Sequence, residues 1–152
     1  MQKKLNNKGF TIVEVLIVLA IAGVILATIL LAVPALQRNS RNTQVKQAAT
    51  SLVAGAQESA AANSGKAPTG ISAAGAWTQT GGASTTTTVA GGVTINTAGT
   101  VPGTISARTV YPVFGALCSG ITATTAGASA SNIAVVYAVE NGGTPTSACV
   151  QG

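Results

Sequence analysis

The chain has 152 residues, of which 47% are apolar and only 7% are charged. An average soluble domain carries about 25% charged residues, so the surface here must be solvated largely by hydroxyl and backbone groups. The chain has no histidine, and its acids are Glu14, Glu58 and Glu140. Zinc needs more ligands than two cysteines supply, and calcium needs several carboxylates in one loop. The composition therefore predicts no catalytic residue, no metal site, no cofactor and no enzymatic activity.

The net charge of +5 is unevenly distributed along the chain. Three lysines precede the main apolar block, and three further cations follow it closely: Lys3, Lys4, Lys8, Arg38, Arg41 and Lys46. Beyond residue 50 the basic residues are Lys66 and Arg108. A nucleic-acid-binding face needs clustered cations, which the C-terminal part does not supply. The charge distribution instead indicates membrane topology.

The segment from Phe10 to Val33 is almost wholly apolar over 24 residues. As a helix it would reach about 36 Å, and a bilayer core is about 30 Å thick. The preceding lysines should remain in the cytoplasm. A cleaved secretory signal has a shorter apolar region, of about 7–15 residues. The segment thus predicts a single-pass protein of the cytoplasmic membrane with a cytoplasmic leader.

Helical periodicity continues beyond this segment. Small and apolar residues recur at three- and four-residue spacing, at Val45, Ala48, Ala49, Leu52, Val53, Ala56 and Ala60. We therefore predict one helix from about Thr11 to Ala62, with a hydrophobic part over 10–36 and an amphipathic part over 37–65. Pro34 lacks an amide donor, which predicts a kink or local opening. Asn63, Gly65 and Pro68 should end the helix.

Residues 66–152 have the composition of a small β-rich head. Turn residues recur at Gly81-Gly82, Gly91-Gly92, Pro102-Gly103 and Gly142-Gly143. Between them we predict strands at Val93–Asn96, Thr104–Val110, Ile133–Val139 and Ala148–Gln151. The Thr-rich stretch 78–88 predicts a surface loop. The fold class is therefore α+β, a long helix packed on an antiparallel head.

Two cysteines, Cys118 and Cys149, lie late in the chain. In an exported protein an even pair indicates a disulfide, and two buried free thiols are the alternative. A disulfide here would stabilise the fold by about 3–4 kcal/mol in the chain-entropy model.

The junction Lys8-Gly9-Phe10-Thr11-Ile12-Val13-Glu14 contains three elements at fixed spacing. It resembles the class III signal of type IV pilins, in which a short basic leader ends in Gly and is followed by Phe and, at the fifth processed position, Glu. The resemblance implies a leader over residues 1–9. It also implies that a prepilin peptidase cleaves between Gly9 and Phe10 and that Phe10 becomes N-methylated.

Glu14 is the acid within the apolar segment. A carboxylate in a membrane helix costs about 2.5–3.5 kcal/mol on insertion scales, so it is normally functional. Cleavage would create an amine at Phe10, four residues from Glu14 and on the same helix face. Glu14 could pair with this amine. The resemblance implies pairing between subunits, with Glu14 of one meeting the amine of its neighbour. The alternative is a Glu that extends to the membrane interface.

The resemblance has further structural implications. In many pilins the segment between a glycine and a proline loses helicity on assembly, which here would be Gly23 to Pro34. The proline of many bacterial pilins stands three residues earlier, so this segment is longer. A disulfide that fastens the last strands, here Cys118 to Cys149, is also common in the family.

The resemblance implies a filament subunit that forms a helical homo-oligomer and becomes extracellular. Its partners would be the prepilin peptidase, an assembly platform and an ATPase, and the membrane before assembly. The alternative is a minor pilin or pseudopilin of a type II secretion or DNA-uptake system. Nucleic acid would be a partner only in the DNA-uptake system. An unrelated single-pass protein with a β-rich head is a third hypothesis. Adhesion and twitching motility are possible downstream roles.

Overall fold

A computed structural model describes residues 9–79, 85–89, 91–124, 127–129 and 131–152. The three leader lysines and the predicted Gly81-Gly82 turn lie outside the described residues. The chain divides into two compact units, residues 1–37 and 38–152.

The long helix α1 runs from Ile12 to Ala62, one residue shorter than predicted. It is continuous through Pro34, so the predicted local opening does not occur in the single chain. A proline removes one amide donor, and the flanking turns keep their own hydrogen bonds. The helix ends where predicted: Gly65 adopts a φ of 79°, and its amide donates to the Ala60 carbonyl at 2.8 Å. Ser64, with a φ of 57°, is also left-handed, and the two residues together close the last turn.

The main sheet has four strands in the order β3-β4-β7-β8. They are β3 (Thr94–Ile95), β4 (Thr109–Phe114), β7 (Ile133–Val139) and β8 (Thr146–Gln151). β4, β7 and β8 pair antiparallel, but β3 pairs parallel to β4. The head is therefore mixed, whereas the sequence predicted an antiparallel one. The chain between β3 and β4, residues 96–108, has the dozen or so residues that a parallel connection requires.

Two short hairpins complete the head. β1 (Gly70–Ile71) pairs with β2 (Trp77–Thr78), and β5 (Leu117–Ser119) pairs with β6 (Thr122–Thr124). Neither hairpin was predicted, because strands of two or three residues leave no alternating pattern in the sequence.

The predicted strand Ile133–Val139 is confirmed, and those at 93–96 and 148–151 correspond to β3 and β8. The predicted strand Thr104–Val110 is wrong, because β4 begins only at Thr109. Arg108 has a φ of 58°, which a continuing strand cannot accommodate. The Ser106 amide donates to the Tyr111 hydroxyl at 2.8 Å instead of to a neighbouring strand.

Pro112 lies inside β4, between two other strands in sheet order. The carbonyls of Arg108 and Val110 accept from β3, so even-numbered positions of β4 face that side. β3 pairs only with Thr109 and Val110, and Pro112 lies beyond its end. Proline has no amide donor, but at this position no neighbouring strand would have accepted a hydrogen bond from it. Pro112 is therefore tolerated here as it would be on an edge strand.

The core of the head lies between α1 and the main sheet. The predicted helical stripe is largely confirmed, since α1 buries Val45, Ala48, Ala49, Leu52, Val53, Gly55, Ala56 and Ser59. Ala60 is only half-buried. Opposite them lie Ile133, Val135 and Tyr137 of β7, with Ile95 and Val110. Trp77 fills the centre at 1% exposure, and its indole N–H donates to the Thr87 hydroxyl at 2.7 Å.

The other face of β7 is covered as well. Ala134, Val136 and Ala138 are buried, and the β5–β6 hairpin contacts β7 and β8. Cys118 of β5 is joined to Cys149 of β8 by a disulfide with a Cα–Cα distance of 5.8 Å. Cys149 pairs with Val136 in the register, so the disulfide lies on the face away from α1. It fastens this hairpin onto the sheet.

A polar anchor joins α1 to the end of β7 within the head. The Arg41 guanidinium donates to both carboxylate oxygens of Glu140, the shortest bond being 2.7 Å. The Asn42 side chain accepts from the Glu140 amide at 2.8 Å and donates to the Glu140 carbonyl at 3.0 Å. Asn42 thus satisfies the backbone amide and carbonyl of Glu140, which a neighbouring strand would otherwise have bound.

Gly55 is predicted to be essential for helix–head packing. A Cβ there would overlap the Thr87 hydroxyl and approach the Trp77 indole nitrogen at 3.0 Å. Gly55→Ala should therefore destabilise the head by about 1–3 kcal/mol through overpacking, although alanine favours a helix by about 1 kcal/mol. Trp77, the single tryptophan, reports unfolding by fluorescence in urea with the chain in detergent micelles. Gly143→Ala is the control, because no described residue apart from its chain neighbours lies within 4 Å of its Cβ position. An unchanged or raised midpoint for Gly55→Ala would contradict the packing.

The polar anchor should make head stability depend on acidic pH. Arg41 lowers the pKa of Glu140 by hydrogen bonding, with smaller contributions from the charges of Arg41, Arg108 and Arg38. Since the folded pKa is below the unfolded value of about 4.3, the stabilisation is complete above that value and is lost as pH falls through the folded pKa. The urea midpoint should fall over this acidic window in the wild type. Glu140→Gln should lose the dependence, and Glu58→Gln, on the exposed helix surface, should keep it. Equal slopes for all three proteins would exclude the anchor as its source.

Candidate functional site

The unit at residues 1–37 exposes an unusual amount of apolar surface. Every described residue from Gly9 to Gln37 is exposed. Of the 18 large apolar side chains that the described residues expose, 17 lie between Phe10 and Leu36. At about 1.5 kcal/mol or more each, leaving them in water would cost tens of kcal/mol, which exceeds the stability of an ordinary domain. This part of α1 must therefore be covered by lipid or by protein.

The helix is suited to lipid by length and composition. α1 contains a stretch that is long and apolar enough to cross a membrane, and none of that stretch is buried in the single chain. Its one hydroxyl in the middle of the span, Thr28, donates to the Ile25 carbonyl at 2.8 Å. That bond satisfies the hydroxyl where water is absent. Glu14 is the charged residue within 9–37.

Glu14 lies in the first turn of α1 and is held by Thr11. The Thr11 amide and hydroxyl both donate to Glu14 Oε2, at 2.9 and 2.8 Å. The Glu14 amide donates back to the Thr11 hydroxyl at 3.3 Å. Thr11 is therefore the N-cap, and the pair forms a capping box, the Ser/Thr-x-x-Glu pattern. Both side-chain bonds use Oε2, which leaves Oε1 available to a further donor.

The capping box was missed in the sequence. Thr11-Ile12-Val13-Glu14 matches the pattern and would have placed the helix start at Ile12. It supplies a structural role for Glu14 that stands beside the predicted pairing with an amine. Any test of Glu14 must therefore separate capping from pairing.

The predicted cleavage residues precede the helix. Gly9 and Phe10 lie outside α1, and Phe10 is 89% exposed. Apart from its chain neighbours, no described residue lies within 4 Å of a Cβ built on Gly9. Gly9 and Phe10 are therefore exposed and lie outside the helical backbone. The nitrogen of Phe10 is one residue from the Thr11 amide, which the Glu14 carboxylate already reaches.

The other predicted site residues lie apart from this end. Gly23 and Pro34 are exposed within α1, and Cys118 and Cys149 belong to the head. Among the described residues, no group of three or more potential metal ligands comes together. Sequence reasoning also missed the polar anchor of Arg41, Asn42 and Glu140, because nothing in the spacing pairs residues nearly 100 positions apart.

The N-terminus matches a known family model. Residues 4–30 match the model described as the prokaryotic N-terminal methylation motif. No curated protein and no solved structure matches the chain.

The matched segment contains Gly9, Phe10 and Glu14 together with most of the apolar half of α1. The head, within residues 38–152, lies outside the match. The layout of one long N-terminal helix followed by β-sheets is that of type IV pilins. The chain thus carries at its N-terminus the prokaryotic N-terminal methylation motif, which is the class III signal peptide of type IV pilins.

Proposed function

We propose that this chain is the structural subunit of a type IV pilus filament. In this proposal the precursor is anchored in the cytoplasmic membrane, a prepilin peptidase cleaves it between Gly9 and Phe10, and the new terminus is methylated. The processed subunit is then extracted into a helical homo-oligomer by an assembly platform and its ATPase. The observation that carries the proposal is the uncovered apolar surface from Phe10 to Leu36, with a single carboxylate near its end.

The energetics explain why that carboxylate matters. Lipid tails are as apolar as leucine side chains, so moving the helix from lipid into a bundle of helices gains little hydrophobic free energy. Apolar contacts of this kind also fix no axial register. A polar interaction is needed to choose among positions that differ by one residue, or about 1.5 Å of helix rise. Glu14 is the charged side chain within 9–37 that can supply it.

The geometry supports an amine as its partner. After cleavage the Phe10 nitrogen becomes cationic, and Glu14 Oε1 is outside both bonds to Thr11. A carboxylate–ammonium bond in a region without water is stronger than a neutral hydrogen bond. If it forms between subunits, each incoming subunit is held at one axial position relative to its neighbour.

Glu14→Gln should leave membrane insertion and leader removal intact and lower the filament yield. Hydrogen bonds to charged groups contribute about 1.5–3 kcal/mol, so the yield should fall by about tenfold or more. The measurement is the ratio of chain in a sheared surface fraction to processed chain in the membrane. Glu58→Gln, which removes an exposed acid from the same helix, should assemble normally. Gly9→Leu provides the electrophoretic marker of unprocessed precursor.

Thr11→Val separates pairing from capping. It removes the hydroxyl and its two bonds to Glu14 but keeps the carboxylate and the Thr11 amide. If Glu14 acts by pairing with the amine, Thr11→Val should assemble far better than Glu14→Gln. Equal defects in the two variants would reduce Glu14 to a helix cap, and a wild-type yield from Glu14→Gln would remove its role in register.

A further inference from the structure

Three arginines and one carboxylate lie at the end of the sheet where β4 begins and β7 ends. In the antiparallel register Val110 lies opposite Tyr137, so Arg108, just before β4, and Glu140, just after β7, come to the same end. Arg41 binds Glu140 directly at 2.7 Å. We call Arg38, Arg41 and Arg108, with Glu140, the arginine cluster.

The other two arginines lie against glycines of this end. The Arg38 guanidinium occupies the space that a Cβ on Gly142 would fill, two residues beyond Glu140. The Arg108 guanidinium lies in the same way against Gly92. The charges of all three arginines act on Glu140 and lower its pKa. Three guanidinium groups and one carboxylate give the arginine cluster a formal excess of two positive charges.

Holding Arg108 in this position costs the fold stability. Arg108 is a non-glycine residue with a φ of 58°. Its Nε is buried and has no hydrogen-bond partner among the described residues. Strained backbone and unpaired buried donors concentrate at functional sites. Both features point to the guanidinium as the group that the fold retains.

The position along α1 indicates what the arginine cluster meets. Arg38 comes five residues after Val33, the last residue of the apolar run, which is about 7.5 Å of helix rise. The headgroup layer on each side of a bilayer core is about 5–8 Å thick. When the run spans the membrane, Arg38 is therefore at the level of the headgroup phosphates, with Arg41 one turn further.

We propose that the arginine cluster binds the phosphates of anionic phospholipid headgroups and thereby holds the head on the membrane surface before assembly. Guanidinium groups bind phosphate through paired, charge-assisted hydrogen bonds. A nucleic acid is disfavoured as ligand, because two excess charges release few counterions. This inference rests on the membrane-anchored precursor of the proposed function, but it requires no filament.

The test uses the full-length chain in a nonionic detergent, titrated with fluorescently labelled phosphatidylglycerol or, as headgroup control, phosphatidylcholine. The wild type should prefer phosphatidylglycerol. Arg38→Gln with Arg108→Gln should weaken its binding by about tenfold or more, and Arg38→Gln alone by an intermediate factor. The matched control is Lys46→Gln with Lys66→Gln, which removes two exposed cations outside the cluster and should change binding by less than about twofold. The leader lysines are common to all variants, so only the differences count.

Several results would overturn the proposal. These are equal binding of the two lipids, an equal loss in the lysine control, or a loss in Arg38→Gln with Arg108→Gln of the binding of inorganic phosphate but not of phosphatidylglycerol. The last result would assign the cluster to a free anion. Unchanged lipid binding with a lowered filament yield would instead make the cluster a contact between subunits. Urea midpoints from Trp77 fluorescence establish that the variants are folded. A failed Glu14→Gln assembly test would leave this lipid measurement unaffected.

Discussion

The exposed apolar surface of residues 9–37 is the constraint on which the rest of the molecule depends. No other part of the described chain is left so uncovered. In the proposed function the helix is stored in lipid and then moved into a helix bundle, at small cost in hydrophobic free energy because the two environments are almost equally apolar. What distinguishes the two environments is then polar. In the proposed function, Glu14, which Thr11 orients at the helix start, pairs with the amine of a neighbouring subunit.

The second part of α1 differs from the first, because it is packed against the sheet of its own chain. Its small residues let the sheet approach closely, and at Gly55 the approach admits no side chain. Arg41 and Asn42 fix the end of β7, while the disulfide fastens the β5–β6 hairpin on the far face. The same helix thus has an exposed apolar part over residues 12–37 and a later part that is packed against the sheet. The distribution of charge along α1 changes between these two parts. Glu14 is the charged residue within 9–37, and the arginine cluster begins at Arg38.

Local rules were sufficient for the helix but not for the head. Periodicity and the Asn63–Gly65 stop signal located α1 to within a residue, because both act over a few neighbouring positions. The strand at 104–110 was misplaced because the start of β4 is set by the left-handed Arg108 and by pairing with β7, which is distant in sequence. The parallel β3 and the Arg41–Glu140 contact were missed for the same reason. At the site, Gly9, Phe10 and Glu14 were predicted from the motif. The capping role of Thr11 was not predicted, although the Thr-x-x-Glu spacing indicates it.

The most direct test of the account is the intact mass of the chain in material sheared from the cell surface. The account predicts the mass of residues 10–152 plus one methyl group, less two hydrogens for the Cys118–Cys149 disulfide. That mass as the main species in the fraction would establish processing, methylation and export together, and its abundance would favour the filament subunit over a minor pilin or pseudopilin. A chain of residues 1–152 found only in the membrane would contradict the account and leave a plain single-pass protein.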